Sequence, residues 1–206
     1  MPKLNFNIKF IVLFKFLLSL IICLKFYSND LSASENIISL GKDSAPVKIK
    51  VFSSLTCPHC ANFHIKIVPK IKKEYIETGK VQLIFIDFPL DQAALNASIM
   101  LHCLDQNKQI DFLDTLYADQ SKWTSGSNID EINNNLKKMT KKLGITSNEF
   151  NKCLKNEAIV DKILNERINA QKKYLIDSTP TIIINEKKLE ESVTFKNIEK
   201  KIEKII

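Results

Sequence analysis

Cys57 and Cys60 are the residues of this 206-residue chain whose types and spacing are best suited to chemistry. They stand in the tetrapeptide Cys57-Pro58-His59-Cys60, so their sulfurs lie one helical turn apart and can close a disulfide. Such a pair takes up or releases two electrons by exchange with other thiols. The spacing therefore predicts a redox-active dithiol, with Cys57, Pro58, His59 and Cys60 as the catalytic residues.

A predicted strand and a predicted helix flank the tetrapeptide. Residues 47–52 are β-branched and aromatic at most apolar positions, which is typical of a strand. After the tetrapeptide, apolar side chains recur every four residues, as in an amphipathic helix: Phe63, Ile67, Ile71 and Tyr75. Cys57 is then the expected N-cap residue and Pro58 the first helical residue, where a missing N–H costs nothing. A thiol at a helix N-terminus faces free backbone N–H groups, and these favour the thiolate.

Two alternatives remain open for the cysteine pair. A structural zinc site needs two further ligands at a familiar spacing, and the sequence has neither a second Cys-x-x-Cys nor a His-x-x-x-His, although His59 and His64 are available. A purely structural disulfide would close so short a loop that it would constrain the unfolded chain little. We therefore predict a redox site with no metal and no other cofactor.

The amino-terminal residues predict export. Lys3 and Lys9 precede an apolar stretch at residues 10–24, and small residues suited to signal peptidase follow it. This order is that of a secretory signal, so residues 1–33 are predicted to be a signal peptide and residues 34–206 the mature domain. A retained membrane anchor is the less favoured alternative, because the apolar run is short for a membrane span.

The charge pattern argues against a nucleic-acid partner. The net charge is +7, but no basic run is interleaved with aromatic side chains. The lysine-rich stretch at residues 137–142 is instead typical of the solvated face of a helix.

Cys103 and Cys153 offer a second pair in an exported protein, where disulfides persist. Pairing them with each other leaves the Cys57–Cys60 tetrapeptide intact and would stabilise the fold by about 4 kcal/mol in the chain-entropy model. Two free buried thiols are the alternative.

The element pattern predicts a mixed α/β domain with an inserted helical segment. Strands are predicted at residues 36–40, 47–52, 81–87, 181–184 and 188–190. The helix between the second and third strands makes those two strands parallel. Helical patterns occupy residues 93–106, 110–120, 129–143, 147–156 and 158–175, so the insertion spans about 91–176, and a last helix covers residues 195–205. His64 and His102 are interpreted as ordinary helix positions.

Thr179 and Pro180 are the predicted substrate-binding residues, because they begin the fourth strand. A cis proline there would leave the preceding backbone free to pair with an extended peptide. An ordinary trans proline is an equal alternative at this stage.

These segments together resemble the DsbA family of thiol–disulfide oxidoreductases. The tetrapeptide at residues 57–60 and the Ser-Thr-Pro-Thr at residues 178–181 are similar to the two halves of that family's site. Residues 87–90 (Asp-Phe-Pro-Leu), 112–123 and 179–185 resemble further family segments in the same order. The resemblance covers about residues 37–206.

The resemblance implies a thioredoxin fold with a helical insertion and a periplasmic, monomeric enzyme that forms disulfides in reduced, unfolded proteins. It implies that Cys57 is the exposed sulfur, Cys60 its buried partner and His59 a stabiliser of the thiolate. It also implies reoxidation by a membrane quinone reductase similar to DsbB. A Cys103–Cys153 disulfide is similar to one in some alphaproteobacterial members.

The chain departs from the family at one position near the site, and two other functions stay open. The family often has an acidic residue six positions before the first cysteine, whereas this chain has Val51. Lys48 and Lys50 lie on the same strand, which should be central. A disulfide isomerase or reductase of the same fold is one alternative function. A non-catalytic thioredoxin-like binding module is the other, and the intact tetrapeptide argues against it.

Overall fold

The computed structural model describes residues 37–206, and within them five strands form one sheet. The strands are β1 (Ile38–Leu40), β2 (Val47–Ser53), β3 (Val81–Asp87), β4 (Thr181–Ile184) and β5 (Lys187–Lys188), in the order β1-β3-β2-β4-β5. β2 and β3 are parallel, and the other pairs are antiparallel. The predicted signal peptide at residues 1–33 lies outside the described residues.

Helices cover the sheet and fill the connection between β3 and β4. α1 (Pro58–Lys66), α2 (Val68–Ile71) and a π-helical turn (Lys72–Ile76) join β2 to β3. Between β3 and β4 lie α3 (Gln92–Cys103), α4 (Gln106–Ala118), α5 (Gln120–Trp123), α6 (Ile129–Lys142), α7 (Ser147–Leu154) and α8 (Glu157–Tyr174), and α9 (Phe195–Ile202) follows β5. The mixed α/β class predicted from the sequence is confirmed, and the inserted segment is helical.

The parallel pair β2 and β3 forms the centre of the fold. Val47, Ile49, Val51, Val81 and Leu83 are all fully buried, as expected for parallel strands covered on both faces. Because the two strands run in the same direction, both end at the same edge of the sheet. The loop that carries Cys57 leaves β2 at that edge.

Pro69 interrupts the helical connection as the sequence predicts. α1 ends at Lys66 and α2 begins at Val68, because a proline supplies no N–H to the preceding turn. The connection ends at Gly79, whose φ of 74° lies in the left-handed region that glycine adopts without strain.

The lysines of the central strand donate hydrogen bonds to acceptors on β3, α8 and the turn between β4 and β5. Lys48 Nζ lies 2.6 Å from Gln82 Oε1. Lys50 Nζ contacts the carboxylate of Glu186 and lies 3.3 Å from the hydroxyl of Tyr174. Each lysine therefore reaches a hydrogen-bond partner with its long side chain. This explains how a central strand accommodates two lysines.

Glu186 also stabilises the turn between β4 and β5, for which the sequence signal is weak. Asn185 and Glu186 connect β4 to β5 with φ values of 43° and 66°, which an Asn-Gly pair would adopt more easily. Glu186 accepts hydrogen bonds of 2.6 Å from both Lys173 Nζ and the Tyr174 hydroxyl, besides its contact with Lys50. These bonds hold the turn in spite of the unfavourable backbone.

We expect the Glu186 cluster to make stability depend on acid. Hydrogen bonds from Lys173, Lys50 and Tyr174 lower the pKa of Glu186 to about 2, from its usual value of 4.5. The stabilisation is present above pH 4.5 and is lost as the pH falls towards 2. Because the side chain is 53% exposed, solvent screening reduces this contribution to about 1 kcal/mol.

Urea unfolding of the unmodified chain and of Glu186→Gln at pH 7 and pH 3 checks this expectation. The difference between the free energies of unfolding of the two proteins should be smaller at pH 3 than at pH 7. Glu190→Gln is the control, because Glu190 is exposed and makes no side-chain hydrogen bond or ion pair within residues 37–206. An equal difference at both pH values would contradict the assignment.

No helix among residues 37–206 combines the length and apolar character that crossing a membrane requires.

Candidate active site

The two cysteines lie where β2 ends and α1 begins. Cys57 is the N-cap residue of α1 and Pro58 is its first residue, which confirms the predicted placement. Cys57 is 8% exposed and Cys60 is 1% exposed, and both are free thiols. A reactant that approaches from solvent therefore meets the Cys57 sulfur first.

The loop before β4 brings Thr179 and Pro180 against Cys57. The Cys57 thiol donates a hydrogen bond to the Thr179 carbonyl oxygen at 3.4 Å, and the Thr179–Pro180 peptide bond is cis. Antiparallel pairing of β4 with β2, in which Thr181 lies opposite Phe52, places the start of β4 at the edge where β2 ends. Sheet pairing thus joins two segments that are 122 residues apart.

Burial controls the protonation of Cys60. Desolvation raises the pKa of the Cys60 thiol to about 12, and the neighbouring Cys57 adds to the rise. The Thr179 side chain opposes it. The Thr179 hydroxyl is buried, and among the described residues it has no partner with good hydrogen-bond geometry. A donor is therefore available towards any charge that forms on Cys60.

A groove of about 290 Å³ opens beside the tetrapeptide. It lies between α1 and the loop before β4, and its lining is mixed, with polar and apolar side chains: His59, Asn62, Phe63, Ile67, Thr179, Pro180 and Val193. The exposed His59 side chain has no hydrogen-bond or ion-pair partner within residues 37–206. The groove offers an extended peptide both polar and apolar contacts beside the tetrapeptide.

Gln120 holds the loop of Cys57 in place, and sequence reasoning did not single it out. Its side-chain amide donates to the carbonyl oxygens of Leu55 at 2.8 Å and Cys57 at 3.1 Å. Trp123, 1% exposed, anchors the same short helix by donating from Nε1 to the Leu116 carbonyl at 2.8 Å. The only sequence signal for Gln120 was its place in the segment 112–123, which resembles the DsbA family.

We expect Gln120→Ala to weaken both the fold and the site. It would leave the buried Leu55 carbonyl oxygen without a donor, which costs about 1–2 kcal/mol, while the Cys57 carbonyl oxygen still accepts from the Ala61 N–H. Urea unfolding and the rate of thiol exchange measure the two effects. Gln92→Ala is the matched control, because Gln92 donates only to another side chain, that of Asn96. Equal losses of stability in both variants would contradict a specific role for Gln120.

Thr56 also holds the loop that precedes Cys57. Its hydroxyl donates to Asp91 Oδ2 at 2.7 Å, while Asp91 Oδ1 accepts from the Ala94 N–H at 2.8 Å and so caps α3. The loop before Cys57 is therefore tied to the first helix of the inserted segment.

His64 and His102, interpreted from the sequence as ordinary helix positions, each lie within hydrogen-bond distance of a carboxylate. His64 Nε2 is 2.6 Å from Asp114 Oδ1, and its ring packs on Tyr117. His102 Nε2 is 2.7 Å from Asp87 Oδ2 in a pair whose side chains are both 9% exposed. Neither pair was evident from the sequence, because each joins two different elements.

Cys103 and Cys153 are joined by a disulfide in the structure, with a sequence separation of 50. The bond connects the last residue of α3 to α7, within the inserted segment. Within residues 37–206, no three His, Cys, Asp or Glu side chains are grouped so that they could hold a metal ion.

Comparison with known proteins places this geometry in a family. The thioredoxin family model matches residues 33–204. The probable disulfide bond formation protein D of Bacillus anthracis is 33% identical over 161 residues, which cover 76% of this chain and 73% of that protein. A putative protein-disulfide oxidoreductase of Rickettsia bellii is 32% identical over 153 residues, 73% of this chain, but the match covers only 58% of that protein.

Solved structures agree with these relatives. Wolbachia pipientis alpha-DsbA1 superposes with a TM-score of 0.75 at 31% identity, over 83% of this chain and 91% of that one. Oxidised BdbD from Bacillus subtilis gives a TM-score of 0.70 at 25% identity, over 82% and 92% of the two chains. The chain therefore belongs to the thioredoxin family and is a DsbA-type thiol–disulfide oxidoreductase.

Proposed function

We propose that this enzyme is an exported dithiol oxidase that introduces disulfide bonds into reduced, unfolded proteins through Cys57 and Cys60. The observation that carries the proposal is the asymmetry of the pair. Cys57 caps α1 beside a groove, while Cys60 lies beneath it at 1% exposure. The names of the Bacillus relatives, which are disulfide bond formation proteins, support the same direction.

The proposed reaction has two exchange steps. A substrate thiolate attacks Cys57 Sγ, the Cys57–Cys60 bond breaks, and the electron pair of that bond stays on Cys60 Sγ. A second substrate thiolate then attacks the substrate sulfur of the mixed disulfide. The substrate disulfide forms and Cys57 leaves as a thiolate, so the substrate loses two electrons and the enzyme gains them.

The surroundings of Cys57 favour the reduced enzyme. Free backbone N–H groups and the dipole at the N-terminus of α1 stabilise a thiolate on Cys57, and the exposed His59 adjoins it. A stabilised reduced form makes the disulfide oxidising. Pro58 supports this arrangement because proline begins the helix without an N–H group that would need a partner.

Thr179 and Pro180 are the proposed substrate-binding residues. An extended peptide in the groove would lie along the backbone of Thr179 and pair with it as an added strand. Such binding reads main-chain groups, so it suits unfolded substrates of varied sequence.

The proposal extends to location and partner. Residues 1–33 act as a signal peptide that delivers a monomer to the periplasm. Each turnover leaves two electrons on Cys57 and Cys60, so an oxidant is required, and a membrane quinone reductase similar to DsbB would fill that role.

The redox equilibrium of the purified full chain with glutathione tests the direction. Alkylation and mass spectrometry of the peptide that contains Cys57 and Cys60 distinguish this pair from Cys103 and Cys153. We expect a reduction potential near roughly −120 mV, the value known for DsbA. A potential near roughly −270 mV, as for thioredoxin, would contradict an oxidase and indicate a reductase.

A further inference from the structure

A groove lined by lysines lies at the β5 edge of the sheet. Its volume is about 390 Å³, and it runs between β5 and the end of α9. Three apolar residues, of which Ile205 is 43% exposed, contribute to its lining. The other lining residues are four lysines: Lys187, Lys188, Lys201 and Lys204. Among the described residues no acidic side chain lines this groove, so its charge suits an anionic ligand.

Two of the four lysines have no acidic partner. Lys188 and Lys201 each form an ion pair with a carboxylate. Lys187 and Lys204 are exposed, and within residues 37–206 neither makes an ion pair or a side-chain hydrogen bond. Glu186 adjoins Lys187 in the sequence but accepts its hydrogen bonds from other side chains. Two positive charges are therefore left uncompensated beside the groove.

Leu175 places an exposed apolar side chain beside the same edge. It is 77% exposed, and its carbonyl oxygen accepts a hydrogen bond of 3.1 Å from Lys188 Nζ. Its φ of 50° lies in the left-handed region, which an asparagine adopts more readily than a leucine. A polar residue would suit both the exposure and the backbone, so the folded chain gains nothing from a leucine here. We call Leu175, Ile205 and the four lysines the β5 surface.

The β5 surface lies at the end of the sheet that is remote from Cys57. Lys187 is opposite Ile184, the last residue of β4, whereas Thr181, the first, is opposite Phe52 near the end of β2. Three residue steps, about 10 Å, separate Thr181 from Ile184 along the strand. A ligand on the β5 surface therefore leaves the Cys57 sulfur open to other molecules.

A second folded protein does not suit this edge. β5 has only two residues, both lysines, and a short, charged edge strand opposes the addition of a strand from another chain. Ile205 lines the groove and Leu175 does not, so the two exposed side chains do not form one continuous apolar patch. Stable protein interfaces need a large and closely packed contact area.

The interfacial region of an anionic bilayer matches the β5 surface better. Lysines beside such a bilayer are attracted to the phosphate groups one by one, without a shaped pocket. Single aliphatic side chains enter the boundary between headgroups and acyl chains, and they need not adjoin each other. Unpaired lysines and separate exposed aliphatic side chains are the two features that the β5 surface combines.

We propose that the β5 surface binds to the headgroups of an anionic phospholipid bilayer. Lys187 and Lys204 supply the unpaired charge, and Leu175 and Ile205 enter the interfacial region. The enzyme then rests on the bilayer with Cys57 at the other end of the sheet, open to soluble substrates. This inference does not depend on thiol exchange.

Lysine footprinting of the full chain on vesicles tests the proposal. Reductive dimethylation, which keeps the positive charge, is followed by mass spectrometry. Vesicles of phosphatidylglycerol with phosphatidylcholine are compared with vesicles of phosphatidylcholine alone. Where the anionic lipid binds about four-fifths of the β5 surface, Lys187 and Lys204 should react about fivefold more slowly, because only the unbound fraction reacts. High salt should remove this protection, since it screens exposed charges.

Lys141 and Lys142 are the internal control of the footprint. Both are exposed on α6, outside the β5 surface, and make no ion pair within the described part of the chain. Their rates of modification should be the same on both kinds of vesicle. Equal slowing of these lysines and of Lys187 would indicate a general attraction of a basic chain and would overturn the proposal.

A triple variant tests whether the exposed side chains cause the protection. In the chain with Lys187→Gln, Lys204→Gln and Leu175→Asn, protection of Lys188 and Lys201 should be lost. Asparagine suits the left-handed backbone at position 175, so the turn is retained. Protection that persists in this variant would overturn the proposal.

The matched control removes the same charge and one exposed leucine elsewhere. It carries Lys141→Gln, Lys142→Gln and Leu90→Asn, where Leu90 is 54% exposed and follows β3 at the Cys57 end of the sheet. Protection of Lys188 and Lys201 should be retained. Residues 1–36 are the same in every variant, so any vesicle binding through them does not affect the comparison.

Two further results would overturn the proposal. Slowing at Lys187 without vesicles, increasing with protein concentration, would assign the β5 surface to a second copy of the chain. Reduction of the Cys57–Cys60 pair by dithiothreitol should have the same rate with and without anionic vesicles, and a slower rate on them would contradict a surface remote from Cys57. An absence of exchange under both conditions would contradict the proposed function alone, because the footprint is read independently.

Discussion

Replacing Cys57 with serine is expected to reduce thiol exchange to the uncatalysed background, whereas Cys60→Ser is expected to trap substrates. Cys57 is the cysteine that solvent reaches, and it lies at the N-terminus of α1 beside the groove. Without its sulfur there is no group to carry the mixed disulfide. Without Cys60, the mixed disulfide on Cys57 loses the neighbouring thiol that could release it.

The experiment uses a reduced peptide with a single cysteine and the full chain carrying each substitution, with the remaining thiol of the pair in each variant, Cys57 or Cys60, activated as a mixed disulfide. Non-reducing electrophoresis and mass spectrometry identify the adduct. We expect the Cys60→Ser variant to accumulate a peptide adduct on Cys57, and the Cys57→Ser variant to form none. The control is the Cys103→Ala, Cys153→Ala double variant, which also lacks two sulfurs but keeps the tetrapeptide and should retain exchange.

An adduct on Cys60 in the Cys57→Ser variant would reverse the proposed roles of the two sulfurs. Such a result would require the buried cysteine, at 1% exposure, to be more reactive than the one at 8%. The measured site of the adduct therefore tests the asymmetry on which the proposed mechanism depends.

Most of the fold could be predicted because its elements carry strong periodic patterns. β3 has the predicted bounds, since its largely apolar residues leave little ambiguity. The edge strand β5 was predicted at residues 188–190 but consists of Lys187–Lys188. Its register depends on Asn185 and Glu186, whose turn is held by side chains from β2 and α8. A local pattern contains no information about such bonds.

In the candidate site, too, some features could be predicted from the sequence and others could not. The N-cap position of Cys57 and the helical position of Pro58 are local, so the sequence predicted them. The approach of Thr179 requires the pairing of β4 with β2, and without the resemblance the cis and trans alternatives were equal. Gln120 reaches the carbonyl oxygen of Cys57 only because α4, which leads into α5, packs against α1. Contacts between distant segments are what a single sequence leaves undetermined.

Removing the Cys103–Cys153 disulfide should lower the free energy of unfolding by about 4 kcal/mol. The two cysteines are 50 residues apart, so the bond removes much of the freedom of the unfolded chain across α4, α5 and α6. Those helices carry Gln120 and Trp123, which position the active-site loop in the native state. The expected fall in melting temperature is about 10 °C for a domain of this size.

Urea unfolding of the Cys103→Ala, Cys153→Ala variant against the unmodified chain, both under oxidising conditions, measures the effect. The control is Cys57→Ala, Cys60→Ala, which removes a bond that closes only a short loop and so should change stability far less. If both double variants lose the same stability, loop entropy is not the source. A loss confined to the Cys103 and Cys153 variant, with exchange at Cys57 retained, would assign this bond to holding the inserted helices rather than to chemistry.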